Sequence, residues 1–219
     1  MGGVGPGADD RTGRDQLPRR SRVVSLEVLT FGCRLNVFEG EVIRGHAAGL
    51  ADTVVVNTCA VTAEAERQCR KAIARVHRER PGAQIVVTGC AAQIAPERWA
   101  GLPGVRRVLG NSEKLLPESW APDAPGRVGD IQLQRDHRAH PIIGLANRAR
   151  AFIDVQQGCG HACTFCIIPQ GRGRSRSVPV AEAVRQVRIQ VEAGINEVVL
   201  TGVDLTSYAS GEARLGDLV

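Results

Sequence analysis

The sequence predicts an α/β fold built as two successive units, a doubly wound parallel sheet followed by the opening β/α repeats of a second array. Three features carry that expectation. Short β-branched runs alternate with longer segments of helical composition. The helical segments end on Pro or Gly signals that release the chain into the next strand. Six of the seven cysteines fall into two groups of three, placed where strands give way to loops.

The first unit is expected over residues 25–116 and the second over 148–219, with an extension at 1–24 and a linker at 117–147 between them. Strand character is read at 25–29, helix at 37–48, and a β-branched strand at 52–56, continuous enough for a buried parallel position. Residues 63–80 are rich in Ala, Glu, Gln and Arg and stop before Pro81-Gly82, which predicts a helix. Strands follow at 84–88 and 105–109. Residues 117–141 carry Pro, Gly, Asp and His without a period and read as a crossing segment. The second unit opens with a strand at 150–155. After a cysteine-bearing loop comes a helix at 180–192, where Val180, Val184, Val187 and Val191 share helical spacing between Pro179 and Gly194. A further strand is expected at 197–200. Roughly 70 residues from Arg150 provide about two β/α units, whereas a (β/α)8 barrel needs about 250. Any barrel here is therefore only begun, and the chain reads as truncated at its carboxyl end.

Composition narrows the function classes. No apolar run approaches the ~18 residues of a membrane span. The Gly-, Asp- and Arg-rich start lacks the apolar core of a secretory signal and reads as a disordered extension. Free cysteines without such a signal argue for metal or redox chemistry in a reducing, cytoplasmic setting, and against a disulfide framework. The net charge of +5, carried mostly by arginine, suits a polyanion such as RNA and equally a biased genome.

Cys159-Gly-His-Ala-Cys163-Thr-Phe-Cys166 sets three thiols in one short loop after a strand. Three thiolates suit an iron–sulfur cluster, and three ligands for four irons leave one iron open to a small molecule. Gly158 and Gly160 allow a tight backbone around a bulky core. A zinc knuckle with His161 as fourth ligand is the competing reading. Cys33, Cys59 and Cys90 are far apart in sequence, but each follows a predicted strand, so a parallel sheet would bring them to one edge. That is a second three-thiol site, or else three buried structural cysteines. Cys69 lies inside a predicted helix and is read as a packing or surface residue. Asn36 and Asn57 are candidates for orienting cysteine sulfurs, or ordinary turn residues. Arg172, Arg174 and Arg176 alternate after the second group and are candidate contacts to RNA phosphate or to a carboxylate, or a solvated basic loop.

These motifs resemble those of the methylthiotransferase family of radical S-adenosylmethionine enzymes. The resemblance is carried by Phe31-Gly-Cys33-Arg-Leu-Asn36, Asn57-Thr-Cys59-Ala-Val-Thr62-Ala-Glu-Ala-Glu66, Thr88-Gly-Cys90-Ala-Ala-Gln93, Gly158-Cys159 through Pro169, and Leu200-Thr-Gly202-Val-Asp204. It implies two 4Fe–4S clusters, with Cys159, Cys163 and Cys166 as catalytic cluster ligands and Cys33, Cys59 and Cys90 as ligands of an auxiliary one. It also implies S-adenosylmethionine near Phe165, Gly202 and Asp204, and makes the second unit the start of an incomplete radical-SAM (β/α) barrel. The implied reaction makes a deoxyadenosyl radical that takes hydrogen from carbon 2 of an adenine in tRNA, where a methylthio group is then inserted. The run after Asn57 is most similar to the branch acting on threonylcarbamoyladenosine beside the anticodon. Branches acting on isopentenyladenosine or a ribosomal protein, and a non-catalytic iron–sulfur fragment, are the alternatives. Implied partners are tRNA and an electron donor such as flavodoxin or ferredoxin, with the chain a monomer away from membranes. The interval between Cys33 and Cys59 is shorter than in many relatives, and the family's carboxyl-terminal RNA-binding domain is absent from the sequence.

Overall fold

The computed structural model describes residues 1, 26–137, 139–140 and 150–219, so the extension expected at 1–24 lies outside the described residues apart from Met1. The first unit runs β1 (Glu27–Thr30), α1 (Arg34–His46), β2 (Thr53–Thr58), α2 (Ala63–Glu79), β3 (Gln84–Gly89), the short α3 (Cys90–Ile94) and α4 (Pro96–Ala100), and β4 (Val105–Val108). All four strands are parallel, in the order β1-β2-β3-β4. Buried on both faces, β2 is the unbroken run Thr-Val-Val-Val-Asn-Thr that such a position demands.

Alternation along the strands separates two cores. Val54, Val56, Ile85 and Val87 meet Cys69, Ile73 and Val76 of α2 and Trp99 of α4 on one face. Val28, Val55 and Val86 meet Ile43 of α1 on the other, with Leu109 and Trp120. The crossovers through α1 and α2 step the same way along the sheet but lie on opposite faces, so they have opposite hands, although parallel crossovers are right-handed in about 98% of cases. The return from α1 to β2 is correspondingly tight. It ends on Asp52 at φ 43, in the left-handed region that Asp tolerates better than most residues. Arg80 holds that residue by its carboxylate at 2.7 Å and also reaches Glu27 at 2.9 Å.

The expected helix at 63–80 is α2, capped by the Thr62 hydroxyl, which accepts from the Ala65 amide at 3.1 Å. The segment expected to be a plain linker is instead packed onto the first unit. Over its described residues it makes 3-10 turns at Pro117–Trp120 and Ile131–Leu133 and buries Trp120 and Ile131, while a further turn at Glu113–Leu115 closes the first unit. Trp120 anchors it by donating its indole N–H to the Lys114 carbonyl at 2.9 Å.

The second unit holds β5 (Ala151–Gln157), α5 (Ile168–Arg172), β6 (Arg176–Ser177), α6 (Val180–Glu192), β7 (Val198–Gly202), the hairpin β8 (Ala209–Ser210) and β9 (Ala213–Arg214), and α7 (Leu215–Leu218). β5 and β7 pair in parallel, as a β/α barrel begins, and β6 pairs antiparallel with β5. α6 ends at Gly194, φ +81, with the Ile195 amide bonded back to the Gln190 carbonyl.

The expected valine stripe of α6 is corrected. The buried positions are Ala183, Gln186 and Gln190, with Val187 partly covered, while Val184 and Val191 are exposed. The four valines form one stripe about 60° wide, but the buried face is turned roughly 90° from it, so only Val187 at its edge joins Ala183 against Ile153 and Val155 of β5. The opposite face of β5 turns to the first unit, where Phe152 packs against Phe38 and Val42 of α1. α1 is therefore shared between the two sheets.

Candidate functional site

Cys33 is the N-cap of α1, directly after the β1 loop; Cys59 follows β2; and Cys90 opens α3 after β3. Parallel register sets the three strand ends side by side, with Thr30 opposite Asn57 and Thr58 opposite Gly89. The three cysteines line one cavity of about 350 Å³, closed on its far side by Ile168, Arg172, Leu200, Thr201 and Leu205 of the second unit. The cradle leaves no room for ordinary side chains. A Cβ on Gly32, which has φ +94, would lie 2.5 Å from the Cys59 Sγ, and one on Gly171 would lie 3.1 Å from the Cys90 Cβ.

Asn36 and Asn57 bond to backbone here and not to sulfur. The Asn36 amide donates to the Phe31 carbonyl at 2.7 Å and the Thr58 carbonyl at 3.0 Å, which ties the Cys33 and Cys59 loops together. Asn57 donates to the Asn36 carbonyl at 3.0 Å. Thr58 adds a link to β3, its hydroxyl donating to the Thr88 carbonyl at 2.6 Å. Burial pushes the Cys59 thiol up from its ordinary pKa, so ionising it needs a compensating positive charge. Cys69 is fully buried in the first core, and burial pushes its thiol up to about 11, consistent with packing.

Behind the cavity stands a buried ionic set that sequence reasoning missed. Glu39 of α1 receives Lys114 Nζ at 2.6 Å and the Arg172 guanidinium, and all three residues are buried. Burial alone would raise the Glu39 carboxyl, but Arg172 and Lys114 outweigh it and hold its pKa at about 2. Two cations and one carboxylate leave one positive charge over. Arg172 Nε points that charge at Cys90 Sγ, 3.0 Å away. Leaving a buried charge unbalanced is expensive, so the set favours an anionic group in the cavity beside Cys90. The Asn111 amide is the second donor to that sulfur, at 3.7 Å, and also donates to the Gly171 carbonyl at 2.5 Å. The cavity, the small cradle and the spare cation fit a thiolate-ligated group that is anionic overall, such as an iron–sulfur cluster with its three cysteine ligands. Glu39 did leave a sequence signal, since it interrupts the apolar stripe of Leu35, Phe38, Val42 and Ile43.

Arg172 is therefore corrected as an RNA contact. It is buried and spent on Glu39, Cys90, Asn36 Oδ1 at 2.5 Å and Gln157 Oε1 at 3.1 Å. Arg176 is half-buried and donates to the carbonyls of Arg172 and Arg174. Arg174 is exposed.

The second cysteine group sits on the loop after β5. Gly158, φ +70, turns the chain where a Cβ would strike the Arg174 carbonyl, and the Cys159 amide donates to the Gly173 carbonyl at 3.0 Å. Cys163 is exposed, and Cys159 and Cys166 are half-buried. Gln156, buried and likewise unforeseen, braces the loop. Its amide N donates to the Gly158 carbonyl at 2.8 Å, and its Oε1 accepts from the Val203 and Asp204 amides at 3.0 and 2.7 Å. Gly202 and Asp204 are thus brought to the same loop as Cys159. The Asp204 carboxylate lies 3.7 Å from Cys159 Sγ and 3.1 Å from His161 Nε2. Hydrogen bonds from Ser207 and then Thr206 lower its pKa. Phe165 is 91% exposed at the loop tip, its ring open among the described residues.

Two family models match the chain: residues 25–110 match an uncharacterized protein family, UPF0004, and residues 153–217 match the radical SAM superfamily. Among curated relatives, the chain is 46% identical over 187 residues to the threonylcarbamoyladenosine tRNA methylthiotransferase MtaB of Rickettsia prowazekii, covering 84% of this chain and 44% of that protein. It is 36% identical to the MtaB of Aquifex aeolicus, covering 82% of this chain and 48% of that one. It is also 33% identical to the tRNA-2-methylthio-N(6)-dimethylallyladenosine synthase of Geotalea uraniireducens, covering 88% and 48%. The chain spans about half the length of the curated relatives it matches. The radical SAM match implies a 4Fe–4S cluster and S-adenosylmethionine. With both halves matched in order and the cysteine triplets on their strand ends, the chain belongs to the methylthiotransferase family of radical S-adenosylmethionine enzymes.

Proposed function

We propose that the chain carries both iron–sulfur sites of a tRNA methylthiotransferase that places a methylthio group on carbon 2 of threonylcarbamoyladenosine beside the anticodon. The observation that carries the reading is the convergence of Cys33, Cys59 and Cys90 on one cavity whose far wall belongs to the unit bearing Cys159, Cys163 and Cys166. The choice of nucleoside is supported by the names of the relatives at 46% and 36% identity; a dimethylallyladenosine enzyme is also similar, at 33%.

In this reading residues 25–116 hold the auxiliary cluster, 117–147 connect, and 148–219 begin the barrel. Bound S-adenosylmethionine and its cluster supply a carbon radical able to take hydrogen from the adenine ring. The chain's own residues orient and shield. Asp204, kept ionised by Ser207 and Thr206, receives the amino group of the cofactor. Phe165 offers its exposed ring to the adenine. Gly202 keeps the backbone close, since a Cβ there would lie 2.8 Å from the Gln156 carbonyl. Of the three arginines, only Arg174 remains free to meet tRNA phosphate, in a salt-dependent contact. A flavodoxin- or ferredoxin-type donor supplies electrons to a cytoplasmic monomer. No helix among the described residues is long and apolar enough to cross a membrane.

The test is anaerobic reconstitution with iron and sulfide counting on the wild type and on two triple-alanine variants, one per cysteine group. Each variant should lose about half of the iron. Full iron after removal of Cys33, Cys59 and Cys90 would reduce the reading to a single-cluster protein. Cleavage of S-adenosylmethionine by the reduced, loaded protein separates a catalyst from an electron-transfer module, which would cleave none.

A further inference from the structure

The two cysteine groups have neighbours of opposite charge. Cys90 Sγ accepts from the Arg172 guanidinium at 3.0 Å, whereas Cys159 Sγ lies 3.7 Å from the Asp204 carboxylate. Arg172 is not adaptable. Glu39 grips it through both carboxylate oxygens, Asn36 and Gln157 take its remaining donors, and Lys114 holds Glu39 from the other side. A planar fork held at every corner keeps its Nε–H on one sulfur in a way that the point charge of lysine does not. The arginine comes from α5 of the second unit, while the sulfur belongs to α3 of the first.

We propose that Arg172 is a positioning residue for the centre at Cys33, Cys59 and Cys90, and that its guanidinium fixes the Cys90 sulfur and raises the reduction potential of the cluster bound there. This rests on reading that triplet as a 4Fe–4S site. Hydrogen bonds to cluster sulfurs and nearby charge are established levers on potential. A buried cation stabilises the more negative, reduced state, so removing it lowers the potential. Asp204, beside Cys159, is a neighbour of the opposite charge at the other centre. Through Arg172 the second unit sets the redox poise of a site whose ligands all lie in the first.

The test uses the full chain with Cys159, Cys163 and Cys166 replaced by alanine, so that only the first centre is loaded. Its potential is read by spectroscopic titration with and without Arg172→Gln. At unchanged iron content, Arg172→Gln should make the centre at least about tenfold harder to reduce, a fall of roughly 59 mV for one electron. Arg78→Gln, on an exposed arginine at the far end of α2 and outside the cavity, should leave the potential where it was. An unchanged potential in Arg172→Gln at full iron content overturns the proposal. If the background protein itself holds no iron, the cluster reading fails and takes the proposal with it. If Arg172→Gln does not load, protein with unmodified Arg172 and 15N-labelled arginine decides. A nitrogen hyperfine coupling on the reduced centre that survives Arg34→Gln, at the other arginine lining the cavity, supports the contact, and its absence overturns it.

Discussion

The two cysteine triplets are assembled by contrasting construction. Cys159, Cys163 and Cys166 share one loop, so their proximity is a matter of chain length, and the loop tip is largely open. Cys33, Cys59 and Cys90 are neighbours only because three parallel strands end in register, and their cavity closes only because the second unit docks on it. The first kind of site tolerates disturbance elsewhere in the fold; the second inherits every defect of the sheet and of the docking.

The largest test of that difference is Glu39→Ala. It strands Lys114 and Arg172 as buried, unpaired cations, which costs roughly 3–5 kcal/mol. Urea unfolding should show that loss, and reconstitution should show iron missing from the first triplet while the second still loads. The acid limb carries the same signature. Glu39 is ordinarily near 4.5 and lies at about 2 in the fold, so its contribution is complete above pH 4.5 and is lost as the pH falls toward 2. Glu39→Gln should flatten that limb in denaturation series. Gly32→Ala comes next. It forces a side chain into a left-handed position against Cys59, at a cost of about 1–3 kcal/mol, and should deplete the first triplet alone. Thr62→Ala removes the α2 cap for roughly 1 kcal/mol and should leave iron at both triplets, separating helix stability from site integrity. Smallest is Gly160→Ala, where an added Cβ meets nothing within 4 Å. Stability should move by no more than about 0.5 kcal/mol, with the iron of the second triplet intact. Its loss would show that the open loop is less tolerant than its geometry implies.

What the sequence made legible follows the same divide. The buried strands of the first unit were readable because a parallel strand covered on both faces leaves a continuous β-branched run, and β2 and β3 each carry one. Helix α6 was readable to its bounds from Pro179 and Gly194, but its buried face was not, because four valines at helical spacing do not say which of them meets β5. Of the candidate site, the cysteines were legible by spacing and by strand ends. The ionic set was not. Lys114 and Arg172 look like surface residues, and only docking of the second unit, 133 positions on from Glu39, gives them a common partner. Glu39 alone left a trace, as a charge inside an apolar stripe. The tight return at Asp52 has no sequence signal beyond a residue type that accepts positive φ.

α5 has one more consequence. It begins two residues after Cys166 and ends at Arg172, whose side chain meets Cys90, so a single helical turn is the gauge between the two centres. At about 1.5 Å per residue, the four steps from Ile168 to Arg172 span roughly 6 Å. One inserted residue would lengthen the gauge only slightly but would swing Arg172 by about 100° around the helix, off Cys90 and off Glu39 together. Spacing and electrostatic contact are thus written in one stretch of five residues, and neither can drift without the other.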